Sequence, residues 1–353
     1  MAGGRGVGML GAVSDLVSVA LLVAWMVEGG AGRPTPGVVP GGGLDGATGF
    51  ALGTRSVTDE TEAAYERLLA MDDEAHDQMD RWIQEADAKG PEADTTELQR
   101  KIDERIGAVT KAYGEFLGRH PGHARARIAY GSFLNDTGQE SRAKEEWEKA
   151  LALDPGNPAV YNNLAGLYGH RGPVTNAFTF YEKAIALDPK EPVYYQNLAT
   201  TVFLFRRDVM EHYGFDDEQK VFDKALALYR RAMELDPTNF VLAADTAQTY
   251  YGIKPPRHDE ALEAWRKALQ LASDDLERQG VRIHLARVQV QAGRFDEARK
   301  SLDSVTNTHF QSVKEKIRKT LESRIQGAKP GEGLAEESGK ETVNPGSDAG
   351  KSR

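Results

Sequence analysis

The chain contains no cysteine in 353 residues. That excludes disulfides, thiolate nucleophiles and cysteine-based zinc sites, while saying little about compartment. There is no excess of positive charge either. Lys and Arg number 44 against 54 Asp and Glu, a formal −10 at neutral pH. Neutralising a phosphate backbone needs basic surface, so no nucleic-acid partner is expected. The signatures of catalysis are also missing: H-E-x-x-H, G-x-S-x-G and G-x4-G-K-[ST] do not occur. The eight histidines are scattered, and the close pair His120 and His123 flanks Pro121-Gly122 with no obvious carboxylate partner. Gly6 to Gly11 spells G-x-G-x-x-G but follows no strand, which removes the context that a dinucleotide site requires. No catalytic residue, metal ligand or small-molecule cofactor is expected, and the chain reads as a non-enzyme.

What is present is periodic. Between Asn157 and Pro189, Tyr161, Leu164, Ala165 and Tyr168 form one stripe at helical spacing, and Ala177, Tyr181, Ala184 and Leu187 form a second. Gly172-Pro173 separates them. Asp188-Pro189 ends the second, because proline lacks an amide donor and restricts the residue before it. The second stripe returns as Ala143, Trp147, Ala150 and Leu153, as Ala225, Tyr229, Ala232 and Leu235, and as Ala261, Trp265, Ala268 and Leu271. A degenerate copy is Ala298, Leu302 and Val305. Pro121, Pro155 and Pro189 follow one another at intervals of 34 residues.

A helix-turn-helix unit with that period and that alternation of small and large residues resembles the tetratricopeptide repeat, or TPR. The resemblance covers residues 122–306. It implies an all-α fold, a right-handed superhelical solenoid of about five units at 124–157, 158–191, 192–239, 240–275 and 279–306. Residues 56–121 read as an N-terminal helical hairpin that caps the row, with a separate coiled-coil arm as the open alternative. A capping helix is expected at 309–325, with Phe310, Val313, Ile317, Leu321 and Ile325 inward and Lys314, Lys316, Arg318 and Lys319 outward.

The flanks differ in composition. Arg5, the apolar run Leu16 to Val27 and the small residues Gly29 and Ala31 make 1–31 a secretory signal or an N-terminal anchor. Membrane anchoring would run through 7–27, although Asp15 weakens it. Export to the cell envelope or periplasm is expected, with a cytoplasmic protein as the alternative. Residues 32–55 read as a Gly/Pro-rich linker and 327–353 as a disordered tail.

The family resemblance also implies a partner site. First helices of such repeats line a groove that holds an extended peptide or a protein segment. By register the groove residues are Asn162, Asn163, Gln196, Asn197, Thr200, Asp245, Gln248, Tyr251, His284 and Arg287. Asn163, Asn197, Asp245 and His284 share one position in successive units. Two readings of that row stay open: a ladder of side chains facing a peptide backbone, or local hydrogen bonding within the repeats. Members that clamp a C-terminal carboxylate carry Lys, Asn and Arg where this chain has Ile128, Ser132, Gln196 and Asn197, so a chaperone-tail adaptor is not expected.

The third unit is 14 residues longer than the period, the excess lying near 207–220. One reading is a hairpin projecting beyond its neighbours, with Val209, Met210, Tyr213 and Phe215 as a second interaction surface. The alternative is that it folds back on the adjacent repeat. A self-associating assembly factor, using this segment or the N-terminal hairpin, is the rival to a peptide-binding scaffold. Oligomeric state is not legible.

Overall fold

The computed structural model describes residues 57–90 and 94–327. The expected leader, linker and tail therefore lie outside the described residues, as does the anchoring segment 7–27. The described residues form 14 α-helices and two short 3-10 turns, with no strand among them. They divide into two compact units, 57–235 and 236–327, the break falling at Leu235-Asp236.

The first unit opens with a long hairpin, α1 (Val57–Lys89) and α2 (Thr95–Arg119). Asp94 starts α2 by accepting from the amides of Thr96 and Glu97 at 3.1 and 3.0 Å, which satisfies two donors that the first turn leaves open. Its apolar face, Ile102, Val109, Tyr113, Phe116 and Leu117, is buried. So are Tyr65, Leu68, Ala75 and Met79 of α1. Most of these residues join one core with Ile128, Phe133, Trp147 and Leu164 of the repeats that follow.

Three helix pairs come next: α3 (Ala124–Asp136) with α4 (Glu140–Leu153), α5 (Pro158–Arg171) with α6 (Val174–Leu187), and α7 (Pro192–Leu204) with α9 (Glu218–Leu235). Asn157 and Glu191 cap α5 and α7 by accepting from Ala159 and Val193 amides, and in both helices proline takes the first position, where no amide donor is missed. Small residues let large ones in. Gly131 faces the Trp147 indole so closely that a Cβ there would collide with the ring, and the indole N–H donates to the Ile128 carbonyl at 3.1 Å.

Between α7 and α9 lies a short helix, α8 (Arg206–Tyr213), closed by Gly214 in the left-handed region at φ 67°, where glycine carries no Cβ penalty. This segment folds back. Val209 is fully buried, and Met210, Tyr213 and Phe215 are half-buried against a core that includes Phe178, Tyr181 and Val202. Tyr213 donates to Glu182 of α6 at 2.7 Å, with the Lys224 ammonium 4.0 Å above its ring. Of the two readings of this segment, the structure shows the one that folds back. Four apolar side chains on a 14-residue insertion bury more surface against α6 and α7 than they could in water.

The second unit holds α10 (Phe240–Thr249), a 3-10 turn at Tyr250–Gly252, α11 (His258–Leu271), α12 (Asp275–Gln291), α13 (Phe295–Asp303), a 3-10 turn at Thr308–Phe310 and α14 (Gln311–Ile325). Phe310, Val313, Ile317 and Leu321 close the core made by Ile283, Ala286, Val290, Ala298 and Leu302. Ile325 is 46% exposed, unlike the inward place that its spacing suggested. The loop before α14 is pinned by Gln279, whose Oε1 accepts from the amides of Thr306 and Asn307, both at 2.7 Å.

Candidate functional site

In the first unit, α3, α5 and α7 bring polar side chains into one line. Asn197 Nδ2 donates to Asn162 Oδ1 at 2.9 Å. Asn162 Nδ2 donates to Asn163 Oδ1, and Asn163 Nδ2 to Ser132 Oγ, both at 3.3 Å. Ser132 in turn donates to the Ile128 carbonyl at 3.1 Å. This is a relay through three helices that ends on the carbonyl already holding Trp147. Asn162 and Asn163 are only 3% and 5% exposed, so their amides serve the packing of the helices on each other. That corrects the expectation that both face a guest directly. Asn197 and Gln196 are half-buried at the outer end. Thr200 is buried, sharing a 2.7 Å hydrogen bond with Tyr229.

The second unit assembles a different cluster from α10, α11 and α12. The Tyr251 hydroxyl lies 3.0 Å from His284 Nδ1, and the His284 imidazole stacks on Trp265 at 4.2 Å and 5°. The Arg287 guanidinium sits over the Tyr251 ring at 5.7 Å. Burial, then the charge of Arg287, pushes the His284 pKa down to about 3, so the imidazole stays neutral at ordinary pH. Asp245 is buried and Gln248, Tyr251 and Arg287 are half-buried. Three buried atoms here have no hydrogen-bond partner among the described residues: Gln248 Oε1, Trp265 Nε1 and Arg287 Nε.

The ten groove residues expected from register therefore fall five to each unit, and the two sets differ in kind. In the first, Asn162, Asn163 and Asn197 are joined in their own relay. The second keeps unused donors and acceptors, and their absence of partners is the exception that buried polar groups rarely show. Trp265 was legible only as a core residue. Its repeat-equivalent Trp147 spends its N–H on a backbone carbonyl, whereas Trp265 does not, a contrast that no spacing reveals. Among the described residues, no group of three or more His, Asp or Glu side chains could hold a metal ion, and no helix is long and apolar enough to cross a membrane.

Family models described as tetratricopeptide repeat match residues 136–192 and 257–315, one segment in each unit. Both segments are tetratricopeptide repeats. Comparison with curated proteins returns no match. Among solved structures, the chain is similar to TTC0263, a thermophilic TPR protein of Thermus thermophilus. Identity is 21% and the TM-score 0.39, over 57% of this chain and 96% of that one. YrrB, titled a TPR protein with an unusual peptide-binding site, is 16% identical with a TM-score of 0.42, over 62% and 99%. PilW, titled a type IV pilus biogenesis factor, is 15% identical with a TM-score of 0.47, over 62% and 94%. At these scores the likenesses carry no argument about partner or place.

Proposed function

We propose that the chain is a non-catalytic protein-interaction scaffold, and that the first-helix face of the second unit binds an extended peptide or protein segment. The observation that carries this reading is that the half-buried Gln248 and Arg287, on α10 and α12, keep polar atoms with no hydrogen-bond partner among the described residues. Leaving buried donors and acceptors unmet costs free energy, about 1–3 kcal/mol each. A polar main chain laid across α10 and α12 offers a carbonyl to Arg287 and an amide to Gln248, while Trp265, 1% exposed on α11, stays out of its reach. It needs no particular side-chain sequence to do so. In the first unit the relay stiffens the stack, and Gln196 and Asn197 present its outer edge. Exposure of this surface to partners outside the cytoplasm, through a signal or anchor at 1–31, belongs to the same proposal.

A random-peptide display library panned on the protein tests it. Peptides enriched on the unaltered chain should lose binding to Gln248→Ala with Arg287→Ala, while the melting temperature stays the same or rises, because an unsatisfied polar atom has been removed. No enrichment over an unrelated helical protein, or equal capture by the double variant, would defeat the reading. Packing of Val209, Met210, Tyr213 and Phe215 against their own unit weighs against self-association through 207–220, and the N-terminal hairpin is the other route of that rival.

A further inference from the structure

A second feature of unit two is a pocket of about 330 Å3 behind Tyr251, walled by the loop at 253–258, by α12 and by α14. It lies at the small end of the range for ligand pockets, enough for one or two side chains. Its charge runs against that of the molecule. Lys254, Arg257 and Arg324 line it together with His258, and among the described residues no carboxylate does, in a chain of net charge −10. Arg324 is held in place: its Nη1 donates to the carbonyls of Val290 and Gln291 at 3.1 and 3.2 Å, ending α12, while its buried Nε has no partner among the described residues. Arg257 is only 21% exposed along its side chain. Partly buried cations attract a carboxylate more strongly than solvated ones, since less water screens them.

A carboxylate of the chain reaches toward this ground. Glu260 lies 3.9 Å from Arg257 and accepts from the Tyr250 hydroxyl at 3.4 Å. It comes from α11 and does not form part of the wall. Its distance from Arg257 is long for an ion pair, and its own side chain is 54% exposed.

We propose that this pocket is an acidic-residue subsite: it takes Asp or Glu side chains of a peptide partner, with Lys254, Arg257 and Arg324 as the recognising cations and Glu260 as a tethered competitor. The proposal rests on the partner being a peptide, as in the function proposed above, but uses other residues. The subsite lies at the turn between α10 and α11, so it selects for composition where the first-helix face reads only main chain.

Fluorescence anisotropy with a labelled hexaglutamate peptide tests it on the full chain, with hexaglutamine as control. Saturable binding at low ionic strength is expected, weakening severalfold as salt shortens the screening length. Lys254→Gln with Arg257→Gln should weaken it by about tenfold or more. Glu260→Gln should strengthen it by about threefold, a gain that no unfolding can produce. Gln248→Ala with Arg287→Ala should leave hexaglutamate binding unchanged, so failure of the main-chain site and failure of this one are separable. The proposal is overturned if hexaglutamate does not bind the unaltered chain, if the Lys254/Arg257 variant binds it equally well, or if Glu260→Gln gives no gain. It is also overturned if inorganic phosphate at matched ionic strength displaces the peptide completely, which would make the pocket a small-anion site.

Discussion

His76 Nδ1 lies 3.0 Å from Asp72 Oδ1, one turn earlier on α1, and the same carboxylate receives the Tyr113 hydroxyl of α2 at 2.5 Å. Across the interface, Asp136 at the end of α3 stands 3.9 Å from His76 Nε2. A single imidazolium thus sits between carboxylates of the N-terminal hairpin and of the first repeat, edge-on to Phe133 at 5.6 Å.

The hydrogen bond to Asp72 raises the His76 pKa from its ordinary value of 6.5 to about 9, against the opposing effect of burial. A raised folded-state pKa stabilises the protonated form, so the contribution is complete below about pH 6.5 and is lost as pH rises through about 9. With the side chain 37% exposed, solvent screening leaves about 1 kcal/mol. His76→Gln should therefore destabilise the chain in urea melts near pH 6 and cost little near pH 10. Asp136 acts in the opposite sense. Burial raises its pKa, opposed first by the charge of His76 and then by the Asn135 amide. An equal loss at both pH values would contradict the assignment.

Asn162 is the middle of the amide relay and should matter more than its ends. Asn162→Ala strands the amide of Asn197 and the carbonyl of Asn163, at a cost of about 1–3 kcal/mol. Asn197→Ala, at a half-buried position, should cost about 1 kcal/mol or less. Denaturant melts of the two variants give the comparison, and the reverse order would break the relay argument.

Gly131 admits the Trp147 indole, with a Cβ there coming within 2.5 Å of the ring carbon Cδ1. Gly131→Ala should destabilise by about 1–3 kcal/mol through overpacking. Combining it with Trp147→Leu should cost less than the sum of the two single changes. Additive losses would show that the two residues do not share space.

The folded-back segment yields a contrast within a few residues. Val209→Asp puts an unpaired charge at a fully buried position and should cost about 3 kcal/mol or more. Phe215→Ser, at a half-buried one, should cost about 1 kcal/mol. Thermal denaturation separates them, and a mild effect at Val209 would restore the projecting hairpin.

Much was written in the residues themselves. Tyr161, Leu164 and Tyr181, Ala184 announce two helices by spacing alone, since a helical period of about 3.6 puts them on one face each. Pro155 and Pro189 end helices for reasons local to the peptide bond. The 34-residue recurrence, the alternation of small and large residues at Ala143 and Trp147, and the closing face of α14 as far as Leu321 all followed from the same local rules. What required tertiary structure was the fate of each polar or apolar side chain once a neighbour arrived. Asn163 and His284 hold the same register, yet one spends its amide on Ser132 of α3 while the other stacks on Trp265. Val209, in a segment whose spacing allowed it to project or to fold back, became core. Periodicity states which way a side chain points from its own helix. Whether a hydrogen-bond partner, a ring or solvent meets it there depends on packing between segments far apart in the chain, and that is settled only when they are brought together.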